Sequence, residues 1–207
     1  MDLSKLNNQQ KKAVEKIGGP ILVFAGAGSG KTRVLTHKIA HLIEDVGLPP
    51  KNILAVTFTN KAAQEMRERV SKLLKNKNTS VNLGTFHSIC ARILRKEIHH
   101  LGYTADFSIF DVKDQVTLVK VVLEAMDIPK NYVTPQEVRH KISYFKNKLI
   151  HPDEAQSKAH LVIEKTYAEI YKNYQKALFE NNALDFDDLL ILPLQLFEKN
   201  PKVLEQY

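Results

Sequence analysis

Apolar positions in the first half of the chain fall into short unbroken runs, separated by stretches with helical spacing. Ile21-Leu22-Val23-Phe24 is a continuous apolar run bounded by Gly18-Gly19-Pro20 and a glycine-rich turn, the pattern of a buried strand. Ile53-Leu54-Ala55-Val56-Thr57-Phe58 reads as a second strand, and Val81-Asn82-Leu83 as a third, shorter one. Helical spacing marks residues 7–16, 30–46, 61–75 and 87–98, with a polar loop over 76–80. This alternation of strand and helix predicts an α/β fold with a parallel sheet and right-handed crossovers. After residue 110 the pattern changes. Helices are expected over 112–126, 134–146, 154–160 and 162–180, broken near Pro129, Pro135 and Pro152. No convincing buried strand is read there, and Asn181-Asn182-Ala183-Leu184 is taken as none. Residues 186–197 form a further apolar-rich helix, which Pro193 is expected to kink.

Composition narrows the class. The 207 residues are 43% hydrophobic and 26% charged, which excludes disordered and collagen-like chains. The single cysteine, Cys90, excludes an intrachain disulfide and a multi-cysteine zinc site, and reads as a small buried hydrophobe. The apolar runs are too short to span a bilayer, and the N-terminus opens no signal-peptide pattern, so a cytoplasmic protein without membrane contact is expected. The net charge of +7 is uneven. Residues 1–110 carry 17 Lys/Arg against 8 Asp/Glu, residues 111–184 carry 11 against 10, and residues 185–207 carry 2 against 5. The positive field lies in the first part, where a nucleic acid or a nucleotide phosphate is the natural partner.

Ala25-Gly26-Ala27-Gly28-Ser29-Gly30-Lys31-Thr32 lies between the first expected strand and the first long helix, where a Walker A phosphate loop belongs. Ala25 stands where the strict pattern has glycine. The remaining glycines permit positive φ, so successive N–H groups can cradle phosphates at a helix N-terminus. Lys31 would reach the β- and γ-phosphates of ATP, and the Thr32 hydroxyl would ligate Mg²⁺. A phosphate loop defines a nucleotide, not a reaction. Hydrolysis also needs an acid on a strand end to hold the metal, and no apolar strand ending in Asp or Glu is found.

Taken in order, these segments resemble the N-terminal part of superfamily 1 DNA helicases of the UvrD/Rep/PcrA type. Leu6-Asn7-Asn8-Gln9-Gln10-Lys11-Lys12-Ala13-Val14 is similar to the family's Q motif, and residues 25–33 to motif I. Thr57-Phe58-Thr59-Asn60-Lys61-Ala62-Ala63 is similar to motif Ia, and Gly84-Thr85-Phe86-His87-Ser88 to motif Ib. Asp185-Phe186-Asp187-Asp188-Leu189-Leu190 resembles the acidic segment at the return to the motor domain. The resemblance implies a RecA-like sheet flanked by helices and interrupted by an all-helical insertion. Residues 1–110 would be the first part of motor domain 1A, 111–184 the insertion 1B, and 185–207 the return into 1A, ending before the Walker B strand. It further implies an ATP-dependent motor that moves 3′ to 5′ on single-stranded DNA and acts at junctions of single- and double-stranded DNA. Because the second motor domain is missing, no unwinding and little or no hydrolysis is expected of this chain alone.

The resemblance also assigns residues. Gln10 would read the adenine edge, for which a carboxamide offers both a donor and an acceptor. Arg33 would lie near the nucleotide; a solvated helix arginine is its plain alternative. Thr57, Phe58, Thr59, Asn60 and Lys61, with Thr85, Phe86 and His87, would touch DNA at the C-terminal edge of the sheet. Phe58 could stack on a base or belong to the core. Asp185, Asp187 and Asp188 would shape the DNA path or cap a helix, and Asp185 reads best as a cap. Three other readings stay open: a P-loop subunit of a helicase–nuclease complex, a P-loop kinase, and a non-catalytic interaction domain.

Overall fold

The computed structural model describes residues 2–75, 80–129 and 131–207, so most of the loop expected at 76–80 lies outside the described residues. The chain divides into two units, residues 1–89 and 90–207, and each holds one pair of parallel strands.

In the first unit, α1 (Asn8–Glu15) begins with a reciprocal cap. Asn7 Oδ1 accepts from the Gln10 N–H at 2.9 Å, and Gln10 Oε1 accepts from the Asn7 N–H at 3.0 Å. The Lys38 ammonium closes the other end of α1, donating to the carbonyls of Val14 (2.9 Å) and Lys16. Then come α2 (Lys31–Glu44), β1 (Leu54–Thr57), α3 (Asn60–Leu73), β2 (Asn82–Thr85) and α4 (Phe86–Glu97), whose later turns belong to the second unit. Strands β1 and β2 run parallel, from Leu54↔Asn82 to Thr57↔Thr85. Ile39, Ala40, Ile53, Ala55, Met66, Val70 and Leu83 form the buried core between them and their helices.

One expectation fails here. Ile21-Leu22-Val23-Phe24 is not a buried strand: it is irregular, and Phe24 is 90% exposed. The physical reason is pairing. An apolar run becomes a strand only when a neighbour takes up its N–H and C=O groups. Among the described residues β1 pairs with β2 alone, and no strand adjoins residues 21–24. In place of the larger RecA-like sheet expected from the sequence, the described residues of this unit show one pair of parallel strands.

The second unit is mostly helical: β3 (Ser108–Phe110), α5 (Val112–Ala125), α6 (Pro135–Asn147), α7 (Pro152–Lys158), α8 (Val162–Glu180), β4 (Ala183–Asp185), α9 (Phe186–Lys199) and α10 (Pro201–Gln206). Asp111, Thr134 and Asp185 each cap a helix reciprocally with the residue three positions on. Proline opens α6, α7 and α10, where its missing N–H has no helical partner to lose. Helix α9 runs on through Pro193.

Here a second expectation fails. Residues 181–184 do contain a strand, β4, wholly buried and parallel to β3 in the register Ser108↔Ala183, Ile109↔Leu184, Phe110↔Asp185. Three residues are too short for an apolar run to register, and the two preceding asparagines read as a loop. Asn182 is instead part of the device. It turns the chain at φ +45°, and its side chain accepts from the Thr104 N–H at 3.0 Å and donates to Asp106 at 3.1 Å. Val119, Val138, Ile170, Tyr174 and Leu178 fill one core of this unit; Leu94, Ile98, Phe107, Leu184 and Leu189 fill another. Cys90, expected to be buried, is half-buried. No described helix is long and apolar enough to cross a membrane.

Candidate nucleotide and nucleic-acid interface

The segment leading into α2 has the backbone a phosphate loop needs. Gly28 and Gly30 hold φ of +74° and +90°, which side-chain-bearing residues rarely adopt. Gly30 is the N-cap of α2 and has no side chain to cap it, so the first-turn N–H groups of Lys31, Thr32 and Arg33 are uncapped by any side chain. Lys31 folds back over the loop, its ammonium donating to the carbonyls of Ala25 (2.8 Å) and Gly26 (2.7 Å). That uses two of its three donors. Ser29 Oγ donates to the Gly26 carbonyl at 2.6 Å, tightening the same turn. Gly26, Ala27, Thr32 and Arg33 are exposed and Ala25 is half-buried. An apolar cleft of about 250 Å³ lies beside Lys31, lined by Ala13, Ile21, Val23, Val34, Leu35 and Lys38.

Gln10 meets this loop directly. Its Nε2 donates to the Ser29 carbonyl at 3.0 Å while its Oε1 caps α1. The glycine at position 30 is required by its φ of +90°, and a Cβ there would also lie 3.0 Å from that same Nε2 and press on it. The carboxamide thus ties α1 to the loop, with one further donor and one further acceptor site left to its chemistry.

The second group of expected residues follows the C-terminal ends of β1 and β2. Parallel pairing of Thr57 with Thr85 brings the two strand ends level. Phe58 is 92% exposed, so it is not a core residue. Its ring lies 6.3 Å from that of half-exposed Phe86, giving two aromatic faces at one rim. Thr59 caps α3 by accepting from the Ala62 N–H at 3.1 Å, and Asn60 and Lys61 are exposed in its first turn. After β2, the Thr85 N–H donates to Ser88 Oγ at 2.9 Å, and the Ser88 N–H donates to Thr85 Oγ1 at 3.1 Å. Gly84 makes this turn possible: a Cβ there would stand 2.5 Å from Ser88 Oγ. His87 is half-buried in the first turn of α4.

In the second unit, sequence reasoning found Asp185 and missed its partners. Lys146, 1% exposed on α6, donates to Asp185 Oδ2 and to Asp188 Oδ1, both at 2.7 Å. Tyr174 OH donates to Asp185 Oδ2 at 3.1 Å and Gln175 Nε2 to Asp188 Oδ1 at 3.3 Å. Asp185 also caps α9, as expected, by accepting from the Asp188 N–H at 2.9 Å. Burial alone would lower the Lys146 ammonium, but Asp188 and Asp185 outweigh it and hold it above the usual lysine value. Burial pushes Asp188 up to about 6, against the pull of Lys146. Both directions are consistent, because two buried carboxylates share one ammonium. A cavity of about 340 Å³ adjoins the group, lined in part by Tyr103, Lys146, Gln175 and Asp188. A lysine on an exposed-looking helix carries no sequence sign of this; only the pairing with a chain segment some forty residues on reveals it.

Fold and site together define an α/β chain with a glycine-rich turn at a helix N-terminus and a pair of parallel strands whose ends lie level. The model of the UvrD/REP helicase N-terminal domain matches residues 6–207, and the chain belongs to that family. It is 44% identical over 205 residues to the ATP-dependent DNA helicase PcrA of Bacillus subtilis, covering 99% of this chain and 28% of that protein. It is 45% identical to the protein of the same name from Staphylococcus aureus and 44% identical to that from Staphylococcus epidermidis, with the same coverage. The chain therefore spans little more than a quarter of the length of these relatives.

Proposed function

We propose that this chain is the nucleotide- and DNA-binding N-terminal part of an ATP-dependent 3′-to-5′ DNA helicase. Residues 25–33 hold the triphosphate of ATP, and Lys31 turns from the loop carbonyls toward the β- and γ-phosphates. The Thr32 hydroxyl would hold one oxygen position on Mg²⁺, which would neutralise phosphate charge there. Gln10 uses its remaining hydrogen-bonding capacity on the base. Single-stranded DNA crosses the rim formed by Thr57, Phe58, Thr59, Asn60 and Lys61 with Thr85, Phe86 and His87, where the two rings offer stacking faces. Residues 1–110 and 185–207 belong to the motor domain, and 111–184 form a helical insertion that serves junctions of single- and double-stranded DNA. Two features support this division: β3 and β4 set residues 110 and 185 side by side, and the intervening helices share a core of their own.

The observation that carries the reading is the uncapped start of α2 behind two positive-φ glycines, with the Lys31 ammonium over the loop. Binding of a fluorescent ATP analogue with Mg²⁺ tests it. Lys31→Ala is expected to weaken binding about 10- to 100-fold, the loss of one charge-assisted hydrogen bond. Unchanged affinity would sink the proposal, and brisk ATP turnover by the chain alone would contradict its need for a second motor domain.

A further inference from the structure

The end of α4 carries a group of ligating side chains that neither nucleotide nor DNA binding uses. Ile98–Leu101 continues α4 as a 3₁₀ turn, closed by Gly102 at φ +85° with its N–H donating to the His99 carbonyl at 3.1 Å. Residues three apart eclipse in such a turn, which sets His100 over Glu97. His100 Nε2 lies 4.0 Å from Glu97 Oε2. The His99 and His100 rings face each other, 4.1 Å between centroids and 36° between planes. One carboxylate oxygen and one nitrogen from each ring thus lie within 4.8 Å of one another.

The surroundings sort the two oxygens of Glu97. Tyr207 OH donates to Oε1 at 3.2 Å, and the Lys96 ammonium lies 3.3 Å from the same atom. Oε2 faces the histidines. The carboxylate is 7% exposed and held in place, whereas both histidines are exposed and reachable from solvent. A fixed anionic oxygen with two accessible imidazoles is the donor set of a borderline metal, not of Mg²⁺ or Ca²⁺, which take oxygen ligands.

We propose that Glu97, His99 and His100 form a binding site for a divalent transition-metal ion of the zinc class. Zinc–nitrogen and zinc–oxygen bonds of about 2.0–2.2 Å require neighbouring ligand atoms little more than 3 Å apart. The group closes by side-chain rotation of the two exposed rings, with water completing the coordination. The ion bridges the last turn of α4 to the turn behind it. This site is independent of the phosphate loop and of the Mg²⁺ assigned there.

The test is a Zn²⁺ titration of the untagged chain against a chromophoric chelator, with Mg²⁺ in excess. One equivalent is expected to bind in the micromolar range and to survive the Mg²⁺. His99→Ala and His100→Ala touch exposed side chains, so both should fold, and each should weaken that equivalent by about tenfold or more, as loss of a ligand does. Lys96→Ala should tighten it, because an ammonium no longer competes for the carboxylate; metal scattered over other histidines would not respond. Co²⁺ substituted in the wild-type chain should give visible ligand-field bands that His100→Ala abolishes. Failure to bind Zn²⁺ stoichiometrically, or a stoichiometric site unaltered in the His99→Ala/His100→Ala double variant, would overturn the assignment.

Discussion

The two units carry the same turn built from different chemistry. In the first, β2 ends in Thr85-Phe86-His87-Ser88 and α4 begins; in the second, β4 ends in Asp185-Phe186-Asp187-Asp188 and α9 begins. In both, the first residue's N–H donates to the side chain of the fourth, and the fourth's N–H donates back to the side chain of the first. In both, the phenylalanine between them is about half exposed. The difference is charge. Thr85 and Ser88 are neutral, and each satisfies the turn without outside help. Asp185 and Asp188 make equivalent bonds with carboxylates, which cannot be buried as a pair unless a cation joins them. Lys146 is that cation, and recruiting it fastens α6 to the start of α9. A hydroxyl turn needs no partner from elsewhere in the chain, whereas the carboxylate turn is tied to α6 through Lys146.

The sharpest way to break this comparison is to remove the cation. Lys146→Met should destabilise the second unit by about 3–5 kcal/mol at pH 8, because two carboxylates are left buried without a cation. Urea denaturation measures it. The pH dependence gives the sign. Asp188 titrates near 6 in the folded state, above the ordinary carboxylate value of 3.8. Its contribution to stability is therefore complete below pH 4 and lost as the pH rises through about 6. Lys146 lies on the other side: raised above the usual lysine value, it contributes throughout this range and is lost only in strong alkali. Lys146→Met should thus be most damaging at pH 8 and recover part of the loss at pH 5, where a proton replaces the ammonium. An equal loss at both pH values would mean that packing, not charge, is what the lysine supplies.

How much of this was legible beforehand depends on whether the signal is local. Helices α1–α9 were, because caps such as Asn7, Thr134 and Asp185 act within three residues of themselves; Pro135, taken as a break, instead opens α6, and the six-residue α10 was not read. The glycine-rich turn before α2 was, because Gly28, Gly30 and Lys31 shape it from within one turn. Strands depend on a partner, and there the reading failed in both directions. Residues 21–24 have the composition of a strand but no ladder among the described residues. Residues 183–185 lack the length but have a partner 75 positions back in the chain. Lys146 fails for the same reason: its role is defined by Asp185 and Asp188, and nothing in its own neighbourhood announces it. Phe58 was left between base and core, and its exposure of 92% decides against the core.

A second contrast concerns the two phenylalanines. If the hydroxyl turn meets DNA and the carboxylate turn does not, Phe86→Ala and Phe186→Ala should separate. Phe86→Ala should weaken binding of single-stranded oligothymidine by about 1–3 kcal/mol, the range for loss of one base-stacking face. Phe186→Ala should leave that affinity within error. Both rings are half exposed, so the two variants should lose similar, modest stability. Fluorescence anisotropy at fixed salt measures the affinities, and equal weakening by both would remove the functional half of the comparison.

The smallest expected effect isolates the hydrogen bond itself. Thr85→Val keeps the shape and burial of the side chain but deletes the oxygen that accepts the Ser88 N–H. The Thr85 N–H still donates to Ser88 Oγ, so only half of the reciprocal cap is lost. A loss of about 1 kcal/mol is expected, the usual value for a helix-cap side chain. The matching change in the second unit, Asp185→Val, deletes the same acceptor and also strips Lys146 of one of its two carboxylates. It should destabilise several times more, and adding Lys146→Met should deepen the loss at pH 8, because Asp188 would then be buried with no cation. Thr85→Val has no such partner. If the two valine substitutions proved equally mild, the carboxylate turn would owe its rigidity to capping alone, and the ammonium would be a passenger in it.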